Sequence, residues 1–145
     1  MSAGVQTYAN HRRTWPIFHY VLFPIILINI VVAVRAAMTE RSWTAHWLLL
    51  VSIALLLLAF TARISALTVQ NRVIRLEMRL RCQLLLPSEL FARFDDLRVE
   101  QLVALRFAGD GELAELVRRS LAGEFAKADD IKRAITAWKA DHLRV

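Results

Sequence analysis

Two long apolar stretches dominate the pattern of hydrophobic and polar residues. The first, residues 17–34, reads IFHYVLFPIILINIVVAV, and the second, residues 43–62, reads WTAHWLLLVSIALLLLAFTA without a Lys, Arg, Asp or Glu. A helix needs roughly 20 apolar residues to cross about 30 Å of hydrocarbon. The pattern therefore predicts an all-α membrane protein with two transmembrane helices.

The second stretch is followed by RISALTVQNRVIRLEMRLRCQLLL, which contains no Gly or Pro before Pro87. Because no residue in this run is a typical helix stop, we expect one helix from Trp43 to about Leu86. Residues 43–62 would cross the membrane, and residues 63–86 would continue as a cytoplasmic stalk helix.

Short helices are predicted after Pro87, with start and stop signals between them. Ser88 or Pro87 can begin the first, Asp110 is placed to cap ELAELVRRSLA, and Gly123 is placed to end it. Asp129–Asp130 is placed to cap a last helix, IKRAITAWKADHL. Residues 87–145 are therefore interpreted as a small cytoplasmic helical domain.

The topology follows from basic residues near the ends of the spans. The connection between the spans, residues 35–42, is short and carries two Arg, whereas seven Arg flank the other ends. Lys and Arg are enriched on the cytoplasmic side, so residues 1–16 form a cytoplasmic tail, residues 17–62 a hairpin, and both termini are cytoplasmic. A cleaved signal peptide is the competing interpretation of the first span, but eighteen apolar residues exceed the usual hydrophobic region.

Small residues form a stripe along the second span. Ser52, Ala59 and Ala66 recur every seven residues with Ala62 beside them, and such residues let another helix approach closely. Asn29 needs a polar partner inside the membrane, either Ser52 across the hairpin or a group of another subunit. These five residues are our candidates for helix packing and oligomerisation.

The stalk has a basic face and an apolar face. Arg72, Arg75 and Arg79 are candidates for binding anionic lipid headgroups or an acidic partner, which could be the Glu112/Glu115 helix. On the other face, Val73, Leu76 and Leu80 would be exposed to water without a cover. We expect the tail, including Trp138, to pack on them within the chain or from a neighbouring copy.

Charge and chemistry narrow the class of function. The chain carries a formal charge of +6, but residues 63–145 contain 15 Lys and Arg against 12 Asp and Glu. The basic surplus near the membrane favours lipid headgroups over nucleic acid. No spacing predicts a metal site, a phosphate loop or a nucleophile, and Cys82 is the single cysteine. We therefore expect no enzyme activity and no cofactor.

Three stretches carry a resemblance to a known family: NRVIRLEMRLR, LRFAGDGELAELV and IKRAITAWKADHLRV. They resemble small uncharacterised bacterial inner-membrane proteins with two spans and a cytoplasmic helical tail, a domain of unknown function. The resemblance implies the same architecture and a bacterial inner membrane, and it implies no activity, substrate or catalytic residue.

Two functions from different classes are consistent with these features. The first is a structural or interaction protein that self-associates or serves as an accessory subunit of a larger membrane complex. The alternative is a small oligomeric channel or transport-associated protein, in which the span kinked at Pro24 lines a path. A membrane enzyme is disfavoured because the spans contain no carboxylate.

Overall fold

The computed structural model describes Tyr8 and residues 16–141, and this part of the chain is helical without a β-strand. A π-helical turn, Ile17–Leu22, precedes the first α-helix. The α-helices are α1 (Phe23–Glu40), α2 (Trp43–Leu85), α3 (Ser88–Phe91), α4 (Val99–Leu105), α5 (Asp110–Leu121) and α6 (Ala128–Ala134), with a 3₁₀ turn at Phe94–Asp96. The all-α prediction is confirmed for this part of the chain.

The chain forms two compact units, which we describe separately. The hairpin unit comprises described residues 16–67, and the tail unit comprises Tyr8 and described residues 68–141. The helix α2 contributes its first part to the hairpin unit and its last part to the tail unit. The rest of the predicted N-terminal tail and residues 142–145 lie outside the described residues.

The hairpin unit consists of the π-helical turn, α1 and the first part of α2. The predicted connection, residues 35–42, is shorter than expected, because α1 continues to Glu40 and only Arg41 and Ser42 connect the helices. Arg41 adopts a left-handed conformation with φ of +48°, and the Ser42 hydroxyl accepts a hydrogen bond from the Ala45 amide at 3.1 Å. The loop is therefore a tight turn that ends one helix and caps the next.

Mostly small side chains lie at the contact within the hairpin unit, whereas most of the large apolar ones are exposed. Ala33, Ala37, Ala45 and Ser52 are buried, while Ile28, Leu57 and Leu58 are all more than half exposed. Both candidate spans, Ile17–Glu40 and Trp43–Leu85, are long and apolar enough to cross a membrane. Only 11% and 6% of their most apolar windows are buried within the chain, so neither resembles the core helix of a soluble domain.

A single helix runs from Trp43 to Leu85, as the sequence predicts. Its last part supplies one wall of the tail unit through Ile74, Met78 and Cys82, each 5% exposed or less. The tail helices complete a core with large buried side chains, including Phe94, Leu102, Leu105, Phe107, Leu113, Val117 and Ile131. Through this core, α3 to α6 pack against the last part of α2.

The face of α2 that this core covers is not the predicted one. Val73, Leu76 and Leu80 remain 49%, 61% and 57% exposed, whereas Ile74 and Met78 are buried. Both faces of α2 are apolar here, and the tail packs on the face that also carries Arg81. The prediction that the tail covers Val73, Leu76 and Leu80 within the chain is therefore wrong, although Trp138 does pack against the core.

The last helix is shorter than predicted. It ends at Ala134, and the following backbone is held extended because the Glu112 carboxylate accepts hydrogen bonds from the amides of Thr136 and Ala137 at 3.0 and 3.1 Å. Trp138 then forms an isolated antiparallel bridge with Ala108. These tertiary hydrogen bonds override the helical pattern of the sequence.

Several of the predicted helix signals also differ from the structure. Asp110 is the first residue of α5 rather than its cap, which is Gly109. Pro87, not Ser88, occupies the cap position of α3. The cap of α6 is Lys127 rather than Asp129 or Asp130, although the Asp130 carboxylate accepts a hydrogen bond from the Lys127 amide at 3.0 Å. Gly123 follows the end of α5 with φ of +79°, as predicted.

Candidate functional site

The basic face of α2 pairs with an acidic residue of the same chain. The Arg75 guanidinium lies 2.9 Å from the Asp95 carboxylate, and that of Arg79 lies 3.2 Å from it. The hydrogen bond from Arg75 and the charges of both guanidiniums hold the pKa of Asp95 below its ordinary value. Two of the three arginines predicted to bind lipid or an acidic partner therefore bind Asp95, not the predicted Glu112 or Glu115. Arg72 is exposed.

Arg81 joins α2 to the turn between α4 and α5. Its side chain is only 15% exposed, and its guanidinium donates to the carbonyl oxygens of Arg106 and Ala108 at 3.2 and 2.5 Å. It also donates to the Asp110 carboxylate from Nε at 2.9 Å. The hydrogen bond from Arg81 is the main cause that lowers the pKa of Asp110. Sequence reasoning missed this residue, although its position between Met78 and Cys82 on one face is a detectable signal.

A cleft of about 390 Å³ lies beside Arg81 in the tail unit. Its lining includes Glu77, Arg106, Lys139 and Asp141. Arg106 is buried, forms an ion pair with Asp141 at 3.1 Å and lies 4.5 Å from the centre of the Phe107 ring. Lys139 and Arg81 both lie within ion-pair distance of Asp110. Because three of the cations at the cleft are paired with carboxylates, the cleft is best explained as a structural polar network.

Glu112, in the first turn of α5, forms hydrogen bonds with the segment that follows α6. Its carboxylate accepts four hydrogen bonds, from the amides of Gly109, Thr136 and Ala137 and from the Thr136 hydroxyl. Burial acts to raise its pKa, but these hydrogen bonds together outweigh burial and lower it. Gly109 is needed at this junction, because an added Cβ would lie 2.9 Å from the Ala137 carbonyl oxygen.

Tyr8, which precedes the first candidate span in the sequence, contacts the last helix. Its hydroxyl donates to the Asp129 carboxylate at 2.6 Å and accepts from Arg133 Nε at 3.0 Å. The Arg133 guanidinium also lies 5.7 Å from the centre of the Tyr8 ring. No local sequence pattern predicts this contact, because 121 residues separate Tyr8 from Asp129.

The predicted packing residues divide into two sets. The Ser52 hydroxyl donates to Asn29 Oδ1 at 2.5 Å across the hairpin, and Ser52 is 4% exposed. Ala59 and Ala62 line a cleft of about 400 Å³ beside this pair, while Ala62 and Ala66 are exposed. Ser52 thus serves the contact within the hairpin, and Ala62 and Ala66 are accessible to another helix.

The described residues contain no group of three or more His, Cys, Asp or Glu that could hold a metal ion. These residues contain ion pairs, the buried Arg106 and exposed apolar side chains.

Comparisons with known proteins identify one family. A search of curated proteins and a search of solved structures found no match to the chain. A family model matches residues 1–145, and its description is a family of unknown function, DUF6526. The match to the family model covers the whole chain, including both long apolar helices and the tail. The protein therefore belongs to the DUF6526 family of unknown function.

Proposed function

We propose that the protein is an integral inner-membrane protein with a structural or interaction role, which self-associates or serves as an accessory subunit of a larger membrane complex. The observation that carries the proposal is the exposure of the two long apolar helices, of whose most apolar windows only 11% and 6% are buried. Soluble monomers rarely expose contiguous apolar patches beyond a few hundred Å². Hydrocarbon around the hairpin unit would cover this surface.

Features of both units support a topology with the two termini in the cytoplasm. Arg63, Arg72 and Arg75 follow the apolar part of α2, whereas the tight turn carries Arg41, and basic residues favour the cytoplasmic side. The contact of Tyr8 with α6 supports the same topology, since it requires the segment before the first span and the tail to lie on one side. The resemblance in the tail favours a bacterial inner membrane.

An interaction role is better supported than a channel. The polar side chains Asn29 and Ser52 of the hairpin unit bind each other, which supports a role in holding the hairpin together rather than in lining a path for water or ions. The tail unit has its own core, and its cleft is occupied by ion pairs. Arg72 is exposed, so it is the one of the three predicted arginines best placed to contact a group outside the chain, either an anionic headgroup or an acidic side chain of a partner.

Membrane fractionation combined with reporter fusions tests the proposal. The protein should sediment with membranes and resist extraction with alkaline carbonate. Alkaline phosphatase fused after residue 145 should be inactive, and the enzyme inserted between Arg41 and Ser42 should be active. Extraction into the soluble fraction, or an active fusion after residue 145, would contradict the proposal.

A further inference from the structure

We infer that the exposed apolar stripe of α2 binds a second copy of this chain in parallel, as a two-stranded coiled coil. The stripe consists of Val69, Val73, Leu76 and Leu80, all of which are about half exposed or more. The inference rests on the proposed function in one respect, since two copies inserted with the same topology have parallel α2 helices.

The spacing of this stripe is that of a heptad repeat. Exposed residues recur with alternating steps of three and four, which is the pattern of a and d positions. The a positions are Ala66, Val73 and Leu80, and the d positions are Ala62, Val69 and Leu76. The same register therefore includes the small residues of the span, where Ala allows close approach, and the larger residues that follow.

The core of the tail unit leaves this stripe available. Ile74, Met78 and Cys82 face the core, and on a helix with 3.6 residues per turn they lie on the side opposite Val73, Leu76 and Leu80. A second helix can therefore pack on the stripe without displacing α3 to α6. Val73 at an a position followed by Leu76 at a d position favours two strands, whereas Val69 at d and Leu80 at a do not add to this preference.

Charge complementarity identifies the partner as a second copy. In this register Arg72 occupies a g position and Glu77 the following e position, and in a parallel coiled coil such positions face each other. Arg72 of each copy would then pair with Glu77 of the other, giving two ion pairs for one dimer. No ion pair joins Arg72 or Glu77 to another group among the described residues. An antiparallel arrangement would instead bring Arg72 close to Arg79 of the other copy.

Disulfide cross-linking tests the contact in the full chain. Val73→Cys places a cysteine at an a position, where two parallel helices bring equivalent residues together. The matched control is Asn71→Cys, which is exposed on the opposite side of α2, and the native Cys82 is buried. Mild oxidation in membranes should convert Val73→Cys, but not Asn71→Cys, to a covalent dimer. Equal cross-linking of the two variants, or cross-linking of Val73→Cys to a different protein, would overturn the inference.

A charge exchange tests the orientation by a second route. Arg72→Glu alone and Glu77→Arg alone each place like charges together in both pairs between the two copies. Each variant should therefore raise the dimer dissociation constant about tenfold in detergent. The double variant, Arg72→Glu with Glu77→Arg, should restore the original constant, and Asn71→Lys should leave it unchanged. An unchanged constant in both single variants, or no restoration in the double variant, would overturn the inference.

The two proposals can fail separately in these experiments. A protein that sediments with membranes but gives no Val73→Cys dimer overturns the coiled coil alone. A protein recovered in the soluble fraction overturns the membrane proposal, whatever the cross-linking result.

Discussion

The hairpin unit and the tail unit use apolar residues in opposite ways. In the hairpin unit the buried side chains are mostly small, such as Ala33, Ala37 and Ala45, and large ones such as Leu57 are exposed. In the tail unit Phe94, Phe107 and Leu102 are almost completely buried. The tail unit can therefore derive stability from its own core, whereas the hairpin unit depends on its surroundings to cover its surface.

Polar groups show the same contrast. The tail unit contains a dense network in which Arg81, Arg106 and Glu112 bind backbone or charged groups. The hairpin unit contains one side-chain hydrogen bond between its helices, Ser52 to Asn29, among the bonds found in the described residues. One chain therefore combines a unit that has its own apolar core with a unit whose large apolar side chains are mostly exposed, and α2 contributes to both units.

Truncation of a core side chain of the tail unit should have the largest effect on tail stability, and truncation of an apolar side chain of the hairpin unit should have almost none. Phe107→Ala removes a ring that is 1% exposed and lies 5.1 Å from the Trp138 ring, and it should destabilise the tail unit by about 3–5 kcal/mol. The control Ile28→Ala, in the hairpin unit, should change tail stability by less than about 0.5 kcal/mol. The rate of Cys82 alkylation in increasing urea reports tail unfolding. Equal midpoints for the two variants would contradict the contrast.

Loss of the Glu112 carboxylate should have the next largest effect. Glu112→Ala leaves the amides of Thr136 and Ala137 without their acceptor and should cost about 1–3 kcal/mol of tail stability. The control is Glu115→Ala, because Glu115 pairs only with exposed Arg118 among the described contacts and an exposed pair contributes about 0–1 kcal/mol. If Glu115→Ala destabilises the tail as much as Glu112→Ala, the junction is not held by Glu112.

The sequence predicts the long helices of the chain well and the contacts within the tail unit poorly. Both long apolar helices follow from local composition, because each apolar stretch is about as long as a membrane span requires. The unbroken helix to Leu85 follows because residues 43–86 contain no Gly or Pro. The start of α5 was misassigned by one residue, since Asp110 has the residue type of a cap but binds Arg81. Such partners come from tertiary structure, which local patterns do not contain.

The sequence does not predict which of the two apolar faces of α2 the tail covers, and the reason is different. Residues 69, 73, 76 and 80 form one apolar stripe and residues 74, 78 and 82 form another. Periodicity detects both stripes equally and does not indicate which one the tail covers. The segment after α6 was also mispredicted, because the hydrogen bonds of Glu112 to Thr136 and Ala137 replace helical ones.

Acid should weaken the tail unit by a smaller amount than Glu112→Ala. The folded state lowers the pKa of Asp95, Asp110 and Glu112, so their contribution to stability is complete above the pKa of the unfolded carboxyls, about 4. It is lost as the pH falls through the lowered values. Protonated Glu112 retains one good acceptor, so the loss is partial. Urea midpoints measured between pH 7 and pH 3 should decrease with acid, and Glu112→Gln should reduce the slope. A flat profile would contradict this assignment.

The smallest effect is expected within the hairpin unit. Hydrogen bonds between membrane helices contribute about 0.6 kcal/mol on average, so Asn29→Ala and Ser52→Ala should each have a small effect on hairpin stability. A double-mutant cycle in mixed micelles should show a coupling of about that size between the two residues. Strict additivity would mean that they do not interact in the membrane.

The accessibility of one exposed apolar position tests the central claim, that hydrocarbon covers the hairpin unit while water surrounds the tail unit. Ile28→Cys and Asn71→Cys are both exposed positions of the chain, and the native Cys82 is buried. In membranes permeabilised to both sides, a charged maleimide should react rapidly with Asn71→Cys. The same reagent should react with Ile28→Cys only after the membrane is dissolved in detergent and the chain is unfolded. Equal reaction of both cysteines in intact membranes would show that Ile28 faces water and would contradict the claim.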